Sequence, residues 1–367
     1  MILLDLLLVV AGLTLLVVGG ESLVRGASTV AGKAGISPLV IGLVVVSAAT
    51  SAPEFAVTVG SVLNGEPDLA IGNVVGSNIA NILLILGLAA VISPLVIKRQ
   101  LVRFDIPVML LASGLLLLTT LDGKLDPIEG ALLLILLALH TIASVVIGRK
   151  SYVDPGLEPV ELPLNAKPVS LPLAIALLLL GVALLVFGSQ LLVTGAVSMA
   201  TDLGVSSLVI GLTVVAIGTS LPELATSIVA IRKGETDMAV GNVVGSNLFN
   251  IGLVLGLPAL MFGEGLPFAG GAVAIDLPLM LAAAVALLPI AFTGFIIARW
   301  EGWLFLFLYV SYLTYLMLDS TGHDSAQAFS SAMLWLVGPL LVATLIAVTA
   351  FEFGRVAAGI KYEKTRD

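Results

Sequence analysis

The chain has 367 residues, of which 59% are hydrophobic and 11% are charged, and its formal net charge is −8. Soluble domains carry roughly 25% charged residues, so this composition excludes an ordinary soluble protein and indicates a polytopic membrane protein. The absence of cysteine excludes disulfides and thiolate metal sites. The apolar N-terminal run lacks a preceding basic segment, so we interpret it as a retained span rather than a cleaved signal peptide.

Eleven apolar runs have the length that a membrane-spanning helix needs, which is about 18 to 25 residues. They lie near 2–20, 38–63, 70–93, 104–121, 127–148, 170–194, 206–231, 238–262, 273–298, 301–319 and 331–351. The fold class is therefore an all-α polytopic membrane protein with ten core transmembrane helices and an eleventh C-terminal helix. The segment 149–169 is rich in proline and glutamate, and we interpret it as a cytoplasmic linker.

The basic residues predict the orientation of these spans. Cytoplasmic connections carry an excess of Lys and Arg. If the N-terminus lies outside, 15 of the 16 Lys and Arg residues fall in cytoplasmic segments, and Lys124 alone falls outside. The prediction is N-out and C-in.

The two halves of the chain are internally repeated with a shift of 169 residues. Residues 42–88 match 211–257 at 26 of 47 positions without a gap. Each unit contains five predicted spans, an odd number, so the second copy must be inverted relative to the first. The predicted divisions are 1–148 for the first repeat, 149–169 for the linker, 170–319 for the second repeat, and 320–367 for the extra span and a cytoplasmic tail.

A Thr-Ser-x-Pro-Glu motif ends at Glu54 in the first copy and at Glu223 in the second. A carboxylate in hydrocarbon costs several kcal/mol unless something compensates its charge. No Lys or Arg lies inside the four spans that carry the repeated motifs. The counter-charge is therefore predicted to be a transported cation or a proton.

Neutral oxygen donors accompany both glutamates at helical spacing, three or four residues apart. Hydroxyl and amide oxygens with carboxylates suit Na⁺ and Ca²⁺ rather than zinc or copper. The motif prolines break their helices and free backbone carbonyls about four residues earlier, near 47–49 and 216–218. The predicted side-chain ligands are Thr50, Ser51, Glu54, Ser77, Asn81, Thr219, Ser220, Glu223, Ser246 and Asn250.

Other polar residues receive structural interpretations. Asn78 and Asn247 are expected to cap broken backbone, and glycines spaced four apart in the same spans are expected to let helices pack closely. The acids of short connections are expected to be caps or rim charges, and those at span edges are expected to be interfacial. These acids are Asp68, Asp237, Asp105, Asp276, Glu129 and Glu301. Neither His140 nor His323 is assigned to a catalytic constellation.

These motifs resemble the calcium/cation antiporter superfamily. The pattern is Thr-Ser-x-Pro-Glu followed by Gly-Asn-x-x-Gly-Ser-Asn-x-x-Asn, and it occurs twice at the expected spacing. Within the superfamily the chain looks like a prokaryotic Na⁺/Ca²⁺ exchanger. Proton-coupled relatives carry an acidic residue where this sequence has Gly76 and Gly245.

The resemblance implies how the cations are shared. Glu54 and Glu223 would hold a central Ca²⁺ with Thr50 and Thr219, and Asn81 and Asn250 would complete that layer. Flanking Na⁺ ions would use the side chains of Ser51, Ser77, Ser220 and Ser246 and the backbone carbonyls of Ser47 and Ala216. Some relatives have Asp at the position of Asn250, and the neutral amide disfavours K⁺ co-transport. The first and sixth spans would move against the other eight.

The predicted function is secondary active exchange of Na⁺ for Ca²⁺ by alternating access, in the cell membrane of a bacterium or archaeon. The alternative is an H⁺-coupled exchanger of Ca²⁺ or another divalent cation. A channel would need a continuous pore, and an intramembrane enzyme would need a catalytic motif or a Ser/His pairing, neither of which the sequence indicates. Beyond Na⁺, Ca²⁺ and the bilayer, no cofactor, nucleic acid or obligatory protein partner is expected.

Overall fold

The computed structural model describes residues 2–153, 170–204, 216–263, 265–268, 275–292, 294–322 and 325–333, with isolated positions between 335 and 354. Most of the predicted linker and of the eleventh span lies outside the described residues. So do His323 and 205–215, which form the first part of the seventh predicted span.

The described residues are almost entirely helical. The helices are α1 (Ile2–Ala34), α2 (Pro38–Thr50), α3 (Ala52–Leu63), α4 (Pro67–Ile92), α5 (Leu101–Asp122), α6 (Pro127–Val153), α7 (Leu171–Asp202), α8 (Ala216–Thr219), α9 (Leu221–Arg232), α10 (Thr236–Met261), α11 (Leu277–Phe292), α12 (Arg299–Ser320) and α13 (Ser325–Ala332). Among these residues, seven helices are long and apolar enough to span a bilayer, and the bent pair α2 and α3 would make an eighth span. The chain is a multi-pass helical membrane protein. The count of ten core spans plus one, and the N-out orientation, remain predictions.

Helix α1 continues well past the apolar run that predicted it. The run ended at residue 20 because Glu21 and Arg25 follow it, whereas the helix extends to Ala34. The charged residues limit the apolar stretch and not the backbone hydrogen bonding, since both residue types are good helix formers.

Helices α1 and α7 pack against each other along their length in antiparallel directions. A Cβ added at Gly12 would lie 2.7 Å from the Gly188 carbonyl oxygen, and one at Gly19 would lie 3.0 Å from that of Gly181. Small residues at a helix interface allow this close approach. Because α1 and α7 occupy equivalent positions in the two repeats, their opposite directions are those that an inverted repeat requires.

Two short strand pairs connect the repeats, because each pair contains one strand from each repeat. Strand β1 (Leu95–Val96) pairs antiparallel with β4 (Ile296–Ile297), and β2 (Lys124–Leu125) pairs antiparallel with β3 (Leu266–Pro267). Each pair joins the end of one repeat's third helical span to the start of the other repeat's fifth. This is the pairing expected of repeats related by a pseudo-two-fold axis.

Helix breaks and π-helical turns lie at the centre of each repeat. The first break is at Ser51, where α2 and α3 bend by 40°, and the second is at Ser220, between α8 and α9. Residues Asn81–Leu86 of α4 and Asn250–Leu255 of α10 are π-helical. Irregular turns of this kind widen a helix and are frequent at functional sites.

Candidate cation site

The two repeated glutamates are fully buried, each in the first turn after a helix break. Both have 0% exposure. Ser77 Oγ donates to Glu54 Oε1 at 3.5 Å, and Ser246 Oγ donates to Glu223 Oε1 at the same distance. Each carboxylate is thus held by a serine of the following helix in its own repeat.

Contacts between the repeats join these two half-sites into one cluster. Ser220 Oγ donates to Ser77 Oγ at 3.2 Å, so the break of the second repeat touches the serine that binds Glu54. Thr50 Oγ1 lies 3.4 Å from Ser246 Oγ, which binds Glu223. The side chains that the sequence predicted as two separate motifs therefore meet.

Several oxygen acceptors in this cluster are buried and have no hydrogen-bond partner. They are Glu54 Oε2, Glu223 Oε2, Asn81 Oδ1, Asn250 Oδ1 and Ser51 Oγ. Such atoms are rare in proteins because an unsatisfied buried acceptor is costly. Among the described residues, neither glutamate forms an ion pair with Lys or Arg. The donor set therefore fits a hard cation.

Four asparagines fix the orientation of the amides at this site. Asn81 Nδ2 donates to Asn247 Oδ1 at 2.9 Å, and Asn250 Nδ2 donates to Asn78 Oδ1 at 3.0 Å. Using the amide N–H in this way leaves each amide oxygen of Asn81 and Asn250 without a donor. Asn78 thus orients the amide of Asn250, and Asn247 orients the amide of Asn81, a role that differs from the capping predicted for them. Asn78 Nδ2 also lies 3.4 Å from the Asn247 backbone carbonyl oxygen.

The remaining predicted ligands lie at the same breaks. The Ser47 carbonyl accepts from the Ser51 N–H at 2.9 Å and lies 3.4 Å from Thr50 Oγ1. Ala216 begins α8, and Thr219, at its end, is half-buried.

Asn73 and Asn242, for which the sequence predicted no role, lie beside the breaks. Asn73 Nδ2 donates to the Glu54 carbonyl and to Thr58 Oγ1, both at 3.2 Å. Asn242 Nδ2 donates to Ser227 Oγ at 3.4 Å, and its amide oxygen accepts from Thr50 Oγ1 at 3.2 Å. Their occurrence in both copies could have indicated a role. These hydrogen bonds stabilise the broken helices.

Asp105, predicted at the edge of a span, and His140, to which the sequence assigned no role, form a buried contact that was not predicted. Asp105 is fully buried, and its Oδ1 lies 2.9 Å from His140 Nε2. Ser144 Oγ donates to the same Oδ1 at 2.8 Å and lies 3.2 Å from His140 Nε2. The pairing joins α5 to α6, the next helix along the chain.

This trio does contain the Ser/His contact that the sequence did not indicate, but it is not arranged as a catalytic triad. The serine binds the aspartate oxygen directly, all three side chains are buried, and the histidine ring stacks on Phe104 with 5.5 Å between centroids. The equivalent contact in the second repeat joins Asp276 Oδ1 to Tyr312 Oη at 3.3 Å.

The other acids serve structural roles at helix starts, in line with their predicted edge positions. Glu129 accepts from the Asp126 N–H at 2.9 Å, and Glu301 accepts from the Ala298 N–H at 2.7 Å. Asp237 pairs with Lys98 at 3.4 Å. No described group brings three His, Cys, Asp or Glu side chains together as a metal site. The central cluster thus combines only two carboxylates with neutral oxygens.

Comparison with known proteins agrees with this geometry. The sequence model of the family described as sodium/calcium exchanger protein matches residues 4–146 and 173–318. The inner membrane protein YrbG of Escherichia coli K12 is 42% identical over 260 residues, covering 69% of this chain and 79% of YrbG. The sodium/calcium exchanger MaX1 of Methanosarcina acetivorans is 33% identical, covering 86% of this chain and 99% of MaX1.

Solved structures give the same result. A structure of the sodium-calcium exchanger NCX_Mj has a TM-score of 0.72 and 32% sequence identity, covering 84% of this chain and 98% of that protein. The match therefore extends over both repeats and nearly the whole of the relative. The chain belongs to the sodium/calcium exchanger protein family, and it is a transporter rather than an enzyme.

Proposed function

We propose that this protein exchanges Na⁺ for Ca²⁺ by alternating access, with Glu54 and Glu223 as the shared central ligands. The observation that carries the proposal is the set of buried, unpartnered oxygens contributed by both repeats. Membership of the exchanger family supports Ca²⁺/cation antiport as the activity. Na⁺ is the coupling ion that best fits, because Gly76 and Gly245 stand where proton-coupled relatives carry acids.

The charge of the site explains why exchange is obligatory. Two carboxylates that are sealed from water without a counter-charge are destabilised by desolvation and by their mutual repulsion. One Ca²⁺ neutralises both, and so do Na⁺ ions bound at neighbouring positions. The loaded site can then close, whereas the empty site cannot, and a cation shifts the population only as far as it binds the closed state better.

The ligands divide by position. Ca²⁺ prefers six to eight oxygens, which the two glutamates can supply together with Thr50, Thr219 and the amide oxygens of the central layer. The flanking Na⁺ ions would bind the serine side chains and the backbone carbonyls of Ser47 and Ala216, of which the Ser47 carbonyl also accepts from the Ser51 N–H. Among the described residues the cluster has only two carboxylates, and a low ligand charge favours release of the ions.

The packing of α1 on α9 suggests which side is open. A Cβ at Gly20 would lie 3.2 Å from Val229 Cγ2 and 3.4 Å from the Ala225 carbonyl oxygen, so α1 covers α9. Gly60 of α3 is the counterpart of Val229, and no described atom lies within 4 Å of a Cβ added there. With the predicted N-out orientation, α3 leads to the outside, so this conformation corresponds to the outward-open state.

The experiment is Ca²⁺ uptake by reconstituted vesicles with one gradient imposed at a time. An outward Na⁺ gradient is expected to drive ⁴⁵Ca²⁺ uptake that a K⁺ gradient does not support. Glu54→Gln is expected to abolish it, whereas Glu129→Gln, which removes the charge of a helix cap, is the matched control and should retain it. If a pH gradient drives uptake without Na⁺, protons are the coupling ions and the Na⁺ proposal is overturned.

A further inference from the structure

A hydrogen bond connects α7, which packs along α1, to the break of the second repeat. Ser189 Oγ of α7 donates to the Gly218 carbonyl of α8 at 2.6 Å, and Ser189 is only 6% exposed. Gly218 is four residues before Pro222. Because proline has no N–H, the Gly218 carbonyl lacks its normal helical donor. Ser189 supplies that missing donor from another helix.

The first repeat cannot form the equivalent bond. The shift of 169 residues that aligns the repeats places Gly20 opposite Ser189, and the flanking pair Gly19 and Gly188 is identical in the two copies. Ala49, four residues before Pro53, is the counterpart of Gly218. A glycine has no side-chain donor, so only one of the two breaks receives this hydrogen bond.

In an inverted repeat, the opposite-facing state is approximated by exchanging the conformations of the two copies. Gly20 now packs against Val229 and Ala225 of α9. After the exchange, Ser189 would pack against their counterparts in α3, Gly60 and Ala56. Its hydroxyl would then have left the Gly218 carbonyl, and Gly20 could not replace the lost bond on the other side.

We propose that Ser189 is a positioning residue that stabilises one of the two transport states, namely the state in which α1 covers α9. The inference rests on the alternating-access mechanism proposed above and adds an asymmetry that the repeat itself does not require. Ser189 acts through the backbone of α8, whose last residue is Thr219.

Distance measurement between paired spin labels tests this directly, because the chain contains no cysteine to remove. Labels at Leu63→Cys and Leu203→Cys sit on exposed positions at the ends of α3 and α7, with 69% and 80% exposure. Double electron–electron resonance then reports the α3–α7 separation. Ser189→Ala is expected to raise the population of the shorter distance relative to the longer one by roughly 2- to 10-fold, the range of one net hydrogen bond.

Three further variants keep the test decisive. Ser189→Thr retains the hydroxyl and should preserve the original ratio. Thr194→Ala removes an exposed hydroxyl that donates to the Gln190 carbonyl of the same helix, and it should leave the ratio unchanged. Ser189→Gly reproduces the residue of the first repeat and should act like Ser189→Ala.

Two outcomes would overturn the proposal. One is an unchanged distance ratio in both Ser189→Ala and Ser189→Gly. The other is an equal shift in Thr194→Ala. Vesicle exchange by the wild-type chain separates this failure from that of the proposed function: intact Na⁺-driven uptake with an unchanged ratio removes only the role of Ser189, whereas absent uptake removes the function.

Discussion

The two repeats contribute similar oxygen ligands to the central site, but they differ in how their glutamate-bearing helices, α3 and α9, are packed. Glu54 and Glu223 each accept from one serine at the same 3.5 Å and each keep a free oxygen. Yet Ala56 is exposed in α3, whereas its counterpart Ala225 in α9 is half-buried, with its carbonyl oxygen 3.4 Å from a Cβ added at Gly20 of α1. A nearly symmetric site inside an asymmetrically packed scaffold is the arrangement that alternating access needs, because the same ligands must face both sides in turn.

The largest expected effect tests the symmetric part. Glu54→Gln and Glu223→Gln should each lower Na⁺-driven Ca²⁺ uptake by about 100-fold or more, because loss of one partner of a buried charged cluster costs about 3 kcal/mol or more. Initial rates in vesicles with equal protein content give the comparison. Near-normal uptake in either variant would show that the two carboxylates do not share the ion.

The acid of α5, Asp105, and the acid that directly precedes α11, Asp276, provide the next comparison. His140→Phe leaves Asp105 buried without its histidine and should destabilise the protein by about 3 kcal/mol. Tyr312→Phe removes a single hydrogen bond from the half-buried Asp276 and should cost about 1 kcal/mol. Thermal unfolding midpoints in one detergent at one pH measure both. Equal shifts in the two variants would contradict the asymmetry.

The amides of the central layer should again behave alike. Asn81→Ala and Asn250→Ala each remove one unpartnered buried oxygen and should weaken Ca²⁺ binding roughly tenfold, the range of a hydrogen bond or ligand contact to a charged group. The apparent KM for Ca²⁺ reports the loss. If one variant lost affinity and the other did not, the central layer would belong to one repeat only.

Labelling of matched alanines measures the covered and open faces. Ala56→Cys and Ala225→Cys occupy equivalent positions in α3 and α9. In cation-free protein, Ala56→Cys is expected to react several-fold faster with a small water-soluble maleimide, because α1 covers the other position. Faster reaction of Ala225→Cys would reverse the assignment of the open side.

The sequence predicts the symmetric features well and the asymmetric ones poorly. The repeat, the glutamates and their neighbouring donors follow from spacing and from the cost of charge in hydrocarbon. The Asp105–His140 contact was not predicted, because the short connection between α5 and α6 makes them neighbours but does not say which of their faces meet. The extent of α1 was missed because an apolar run marks the membrane rather than the end of a helix. The asymmetry at Ser189 was also missed. The sequence shows that Gly20 is its counterpart, but not that the serine hydroxyl reaches the Gly218 carbonyl.

The central claim is that Na⁺ and Ca²⁺ compete for one site built around both glutamates. Equilibrium binding of ⁴⁵Ca²⁺ to purified protein tests it most directly, with increasing Na⁺ and with choline as the control cation. The account predicts saturable Ca²⁺ binding that Na⁺ displaces cooperatively, and loss of this binding in the Glu54→Gln and Glu223→Gln variants. Ca²⁺ binding that persists in both variants, or that Na⁺ cannot displace, would contradict it.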